Sequence, residues 1–104
     1  MNQQAMLRQL KKMQEDMERT QKEIEETVFT SSAGGVVTIE MLGNKQLQNV
    51  KVSDDFTVDG AEDLEMLGEM VVAACSQAYT EIDKFTKTKM AKFQSFLGGM
   101  GNLF

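Results

Sequence analysis

Residues 27–52 read TVFTSSAGGVVTIEMLGNKQLQNVKV, and this stretch decides the fold. It is rich in β-branched residues, and two turn signals interrupt it, Gly34-Gly35 and Gly43-Asn44-Lys45. β-Branched residues favour extended strands, whereas glycine and asparagine favour the tight turns that join them. The pattern therefore predicts an antiparallel sheet of three strands, over residues 27–33, 36–42 and 47–52.

The segment before these strands predicts one long helix. Residues 2–27 contain no glycine or proline, and apolar or small side chains recur at alternating spacings of four and three. That spacing places them along one face of a helix. The face consists of Met6, Leu10, Met13, Met17, Thr20, Ile24 and Thr27. A helix of about 25 residues is roughly 37 Å long, so we expect part of it to extend beyond the globular body.

A second helix is predicted after the strands. Asp59 and Glu62 fit a helix cap, and apolar residues at helical spacing follow from Leu64 to Phe85. We expect this helix to reach about Phe96 and to end at the glycines of residues 98–101. The predicted fold is therefore α+β: a long N-terminal helix, a three-stranded antiparallel sheet and a long C-terminal helix. One domain would span residues 1–97, and residues 98–104 would form a flexible glycine-rich tail.

The composition excludes most catalytic sites. The 104 residues include no histidine and one cysteine, whereas Ser-His-Asp sites, Cys-His sites and zinc clusters need imidazole or several thiolates. We therefore predict that the chain is not an enzyme, and that it takes no metal, cofactor or small-molecule substrate. The N-terminus lacks the apolar core of a signal peptide, and nowhere do about 18 apolar residues run together. A cytoplasmic protein with no membrane contact is the expectation.

Charge is distributed unevenly along the chain. The net charge is -5, but residues 54–83 hold nine acidic residues and no basic one. Residues 1–14 and 84–104 hold basic side chains and no acidic ones. If both helices leave the sheet in the same direction, these cations lie at their free ends and can neutralise DNA phosphates. The predicted contacts are Arg8, Lys11, Lys12, Lys84, Lys87, Lys89 and Lys92.

The two basic sets differ in how readily helix stability alone explains them. Lysines near the C-terminal end of a helix offset its dipole, which is an ordinary structural use of Lys84 to Lys92. Arg8, Lys11 and Lys12 lie at a helix N-terminus, where cations oppose the dipole. Local stability does not explain them, so they favour a binding role.

A small sheet covered by one helix indicates self-association. Three strands make a marginal unit, and one helix covers only part of their apolar surface. A homodimer formed through the sheets or their edges is the simplest remedy. Val37, Ile39 and Met41 alternate along the second strand, and we expect them to form the dimer face.

Taken in order, four segments carry a family resemblance: MLRQLKKMQEDMERTQKEIEE (6–26), SSAGGVVTIEMLG (31–43), LQNVKVS (47–53) and EMLGEMVVAACSQAYTEI (65–82). Together they resemble the YbaB/EbfC family of small bacterial nucleoid-associated proteins. The resemblance implies a tweezer-like homodimer that binds double-stranded DNA with little or no sequence preference and helps to organise the nucleoid.

Two alternatives remain open at this point. A prefoldin-like chaperone also has the order helix, hairpin, helix, and it would use the methionine-rich face to hold unfolded clients. A protein-interaction scaffold of the same fold that does not bind DNA is also compatible with the negative net charge.

Overall fold

The computed structural model describes residues 2–101. The elements are α1 (Gln3–Glu26), β1 (Val28–Ala33), β2 (Val37–Leu42), β3 (Leu47–Val52) and α2 (Ala61–Gly101). The strands form one sheet in the order β1-β2-β3, and both neighbouring pairs are antiparallel. The predicted α+β class and element order are confirmed.

Side chains cap both ends of α1. At the start, the side chain of Asn2 accepts a hydrogen bond from the Ala5 N–H at 2.8 Å, which satisfies one of the free donors of the first turn. At the end, the Thr27 N–H donates to the Ile24 carbonyl at 3.2 Å, and its hydroxyl donates to the Glu23 carbonyl at 2.6 Å. These bonds use carbonyls that the helix leaves free, and the chain then continues directly into β1.

The core lies between α2 and one face of the sheet. In the β1–β2 ladder Ser31 faces Ile39 and Ala33 faces Val37, so these side chains share a face. α2 lies across this face and buries Ala74, Ala78 and Ile82 against it. Alanine at these positions lets the helix backbone approach the strands closely. The only polar side chain buried there, among the described residues, is Ser31, whose hydroxyl hydrogen-bonds the Gln77 side chain at 3.2 Å.

The predicted dimer face is wrong. Val37, Ile39 and Met41 are 0%, 0% and 1% exposed within a single chain, because α2 of the same chain covers them. A second chain cannot reach them without displacing that helix. The alternation along β2 identified a buried face correctly, but it did not show which element buries it.

The turn between β2 and β3 touches the end of α1. A β-carbon at Gly43 would lie 2.6 Å from the carbonyl carbon of Ile24 and closer still to its oxygen. The Gly43 N–H also donates to the Thr27 carbonyl at 2.9 Å. Only glycine permits this approach, which fixes the end of α1 against the sheet.

The C-terminal helix is longer than predicted. α2 spans 41 residues and continues through Gly98 to Gly101, where we expected it to end. The part of the predicted tail from residue 102 onward lies outside the described residues. Glycine lowers helix stability by about 1 kcal/mol per residue relative to alanine, but it does not forbid the helical conformation.

Candidate nucleic-acid interface

Beyond the sheet, α1 and α2 run side by side as a two-helix projection. Met17 and Gln21 of α1 line one open groove with Met90 of α2. The start of α1 and the end of α2 therefore both point away from the sheet, and the molecule measures 72 × 22 × 16 Å. We call residues 3–23 and 84–101 the arm, and the sheet with residues 61–83 the body. The two helices therefore leave the sheet in the same direction, which is the condition under which the cations of both lie on one projection.

The basic residues of α1 lie on one side of the arm. Arg8, Lys11 and Lys12 are exposed. At 100° per residue they are on the helix face opposite Met6, Met13 and Met17. Met17 faces Met90 of α2, so the methionine face of α1 is turned towards α2. The three cations therefore point away from the second helix and are open to a large ligand.

The four lysines of α2 are also exposed, and two of them lie over aromatic rings. Lys89 Nζ is 5.4 Å from the centroid of the Phe85 ring, and Lys92 Nζ is 4.9 Å from that of Phe93. Phe85 itself packs edge-on against Phe29 of β1, with centroids 5.3 Å apart. The rings limit where these ammonium groups can move while leaving their charge available.

We expected the two basic sets to lie together at the free ends of the helices. They are instead staggered along the arm. Lys92 is two residues, about 3 Å, beyond Met90, whereas Arg8 is nine residues, about 14 Å, beyond Met17. Lys84 lies about 9 Å on the sheet side of Met90. Since Met90 and Met17 are adjacent, the seven cations extend over roughly 23 Å of arm length. They form a track along the arm, with Arg8, Lys11 and Lys12 at its outer end.

Ion pairing leaves this track free. Within residues 2–101 the ion pairs join Arg19 to Asp16 and Lys45 to Asp83. None of the seven predicted cations takes part in either pair. Their charges are therefore available to an external anion, although acidic residues of α1 between Glu15 and Glu26 lie at the level of the α2 lysines.

Sequence reasoning missed one cation. Lys22 is exposed and follows Arg8 by fourteen residues, close to four full helical turns. It therefore lies on nearly the same helix face as Arg8. Counting charge by segment hid it among acidic neighbours, whereas counting by helix face would have found it.

Neither a metal site nor a membrane-spanning helix is found in the part of the chain that the structure describes. No group of three His, Cys, Asp or Glu side chains is placed to hold a metal ion there. No helix between residues 2 and 101 combines the length and apolar character needed to cross a bilayer.

Comparison with known proteins shows which family this chain belongs to. The model of the YbaB/EbfC DNA-binding family matches residues 1–97. The chain belongs to the YbaB/EbfC family. Membership confirms the resemblance carried by the four segments, and it supports the prediction of a binding protein over an enzyme. It also sets aside the prefoldin-like alternative.

Relatives and a solved structure agree with this assignment. The chain is 43% identical over 96 residues to a nucleoid-associated protein of Streptococcus suis strain 05ZYH33, covering 89% of this chain and 93% of that protein. It is 35% identical over 100 residues to a nucleoid-associated protein of Acetivibrio thermocellus, covering 95% and 87%. The crystal structure of an uncharacterised Helicobacter pylori protein superposes with a TM-score of 0.71 at 19% identity, over 90% of this chain and 98% of that one. That likeness concerns the fold alone.

Proposed function

We propose that this YbaB/EbfC family member is a non-enzymatic homodimer that binds double-stranded DNA by contacting phosphates with the basic track of its arm. The observation that carries the proposal is the track itself. Seven exposed cations, free of ion pairs within the described residues, lie along one projection of a chain whose net charge is -5. An acidic body restricts any contact with DNA to that projection.

The side chains of the track favour phosphate contact over base reading. Six of the seven are lysines and one is an arginine. Lysine presents a point charge, whereas the bidentate recognition of guanine depends mostly on arginine. Contacts to phosphate position a protein on the duplex without reading its sequence. We therefore propose binding with little sequence preference.

The proposed location is the nucleoid in the cytoplasm. The relatives from Streptococcus suis and Acetivibrio thermocellus are both named as nucleoid-associated proteins. A protein that neutralises phosphates on any duplex sequence would be concentrated where chromosomal DNA is concentrated.

The test is a fluorescence-anisotropy titration of duplex DNA across a salt series. Lys87→Glu/Lys89→Glu removes two cations from the track, and Lys45→Glu/Lys51→Glu makes the same charge change on the body. We expect the arm variant to bind on the order of 100-fold more weakly near 0.1 M salt, with a log–log salt slope lower by about 1.8. The body variant should lose much less, because its lysines lie away from the track.

Three results would count against the proposal. The wild-type chain could fail to bind duplex DNA even at about 50 mM salt, which would favour the scaffold alternative. The arm variant could bind as well as wild type. The two variants could weaken binding equally, which would make net charge, and not the track, responsible.

A further inference from the structure

The lysines of α2 differ in what holds their ammonium groups. Lys89 Nζ lies 5.4 Å from the centroid of the Phe85 ring, and Lys92 Nζ lies 4.9 Å from that of Phe93. Both distances are within the range of about 6 Å over which a ring attracts a cation. The other two lysines of the track lie over no ring among the described residues. The track therefore contains two lysines that rings hold and two that rings do not hold.

Packing fixes the two rings themselves. Phe93 is 4% exposed. Phe85 is half-buried and meets Phe29 of β1 edge-on, with ring centroids 5.3 Å apart and an interplanar angle of 78°. Phe29 in turn packs against the core beneath α2. Contacts therefore run from the core through Phe29 and Phe85 to the ammonium group of Lys89, so the sheet fixes the place of a charge on the arm.

Helix geometry explains why Lys89 is held and its neighbour Lys87 is not. Lys89 follows Phe85 by four residues and lies on the same helix face. Lys87 follows Phe85 by two residues, or 200° around the helix, so its side chain leaves the opposite face. Both lysines are exposed, and neither takes part in an ion pair within residues 2–101. They form a matched pair that differs in the ring.

A ring holds an ammonium group without cancelling its charge. An acidic side chain would hold a lysine as well, and acidic residues of α1 between Glu15 and Glu26 lie at the level of the α2 lysines. Such a pair would neutralise the cation, whereas phenylalanine carries no net charge. An ammonium group has three N–H donors, and those turned away from the ring remain for a phosphate oxygen.

A lysine that is already in place binds a phosphate at a lower entropic cost. An unrestrained lysine side chain has many rotamers, and ordering it on a phosphate removes that freedom. A lysine over a ring has lost part of its freedom before DNA arrives. More of the energy of its phosphate contact therefore appears as affinity.

We infer that Phe85 and Phe93 are positioning residues for DNA binding. They hold Lys89 and Lys92, respectively, where the phosphates of a duplex reach them, and they need not touch the DNA. This inference rests on the proposed function and adds to it. The two held lysines contribute more to affinity than the other two lysines of α2, although all four carry the same charge.

The first test is a double-mutant cycle on duplex-DNA affinity, measured by fluorescence anisotropy at about 0.1 M salt. Phe85→Leu should weaken binding by wild type about two- to fivefold. It should have almost no effect once Lys89→Gln has removed the cation that the ring holds. In a Lys87→Gln background it should keep its full effect, and Phe85→Tyr, which retains a ring, should bind as wild type does. Equal weakening by Phe85→Leu in all three backgrounds would indicate a merely structural role and would overturn the inference.

A second test leaves the packed rings unchanged. Lys89→Gln and Lys87→Gln each remove one exposed cation, so the log–log salt slope should fall by about 0.9 in both. Lys89→Gln should nevertheless lose about two- to fivefold more affinity. Equal losses, or a larger loss from Lys87→Gln, would overturn the inference even if Phe85→Leu fails to fold. If the wild-type chain does not bind duplex DNA, the proposed function fails and the inference fails with it. If wild type binds and the two lysines contribute equally, only the inference fails.

Discussion

The body and the arm use their side chains for different purposes. In the body, the central residues of β2 and α2 are fully buried against one another. In the arm, Phe93 is buried, but Leu7 remains 64% exposed. Packing of the body therefore supplies most of the stability, and the arm presents charge with little core of its own. This division means that stability and DNA affinity can be altered separately.

The largest expected effect comes from a substitution in the body. Ile39→Ala removes a fully buried side chain beneath α2, and we expect it to lower the free energy of unfolding by about 3 kcal/mol. Urea denaturation followed by circular dichroism measures this. Its arm counterpart is Lys92→Gln, which should change stability by no more than about 0.5 kcal/mol while weakening DNA binding. If Lys92→Gln destabilised the chain as much as Ile39→Ala, the division between body and arm would be refuted.

A smaller effect is expected where the arm joins the body. Gly43→Ala forces a methyl group into the backbone of Ile24, and overpacking of this kind costs about 1–3 kcal/mol. Gly60→Ala is the matched control, since a β-carbon there meets no heavy atom within 4 Å. Thermal and urea unfolding of the two variants should differ clearly. Equal stabilities would mean that the β2–β3 turn does not hold the end of α1.

The smallest effect is expected from the ion pair between Lys45 and Asp83. Both side chains are largely exposed, at 48% and 67%, and exposed pairs typically contribute about 0.2–1 kcal/mol. A double-mutant cycle with Lys45→Met and Asp83→Asn should therefore give a coupling energy below about 1 kcal/mol, decreasing as salt is added. A larger, salt-insensitive coupling would show that charge, and not apolar packing, holds the β2–β3 turn against α2.

The sequence predicted the elements well because their periodicities differ. Alternating residues marked β2, whereas spacings of three and four marked α1 and most of α2. Glycine marked both turns, and Gly34 and Gly35 do adopt left-handed backbone, with φ of 60° and 67°. The end of α2 was predicted wrongly because the glycines after Leu97 were interpreted as a stop, although glycine only weakens a helix.

The candidate site was predictable in its residues but not in its arrangement. Charge runs identified the cations, but they carry no information about how far α1 and α2 are offset along the arm. That offset depends on where the Gly43 turn fixes the end of α1, which is a contact between segments distant in sequence. The dimer face failed for a similar reason: alternation shows that Ile39 is buried, but not whether α2 or another chain buries it.

The position of the α1 cations couples DNA binding to local folding. Arg8, Lys11 and Lys12 lie within the first three turns of α1, and its first turn contains no acidic residue. Arg8 precedes Lys11 and Lys12 by three and four residues, and like charges at these spacings weaken a helix by about 0.2–0.5 kcal/mol per pair. The end of the unliganded arm is therefore prone to fraying. A phosphate bound by these residues would remove that repulsion. Under the proposed function, the outermost turns of the arm become more rigid when DNA binds, and they lose that added rigidity when salt displaces the DNA.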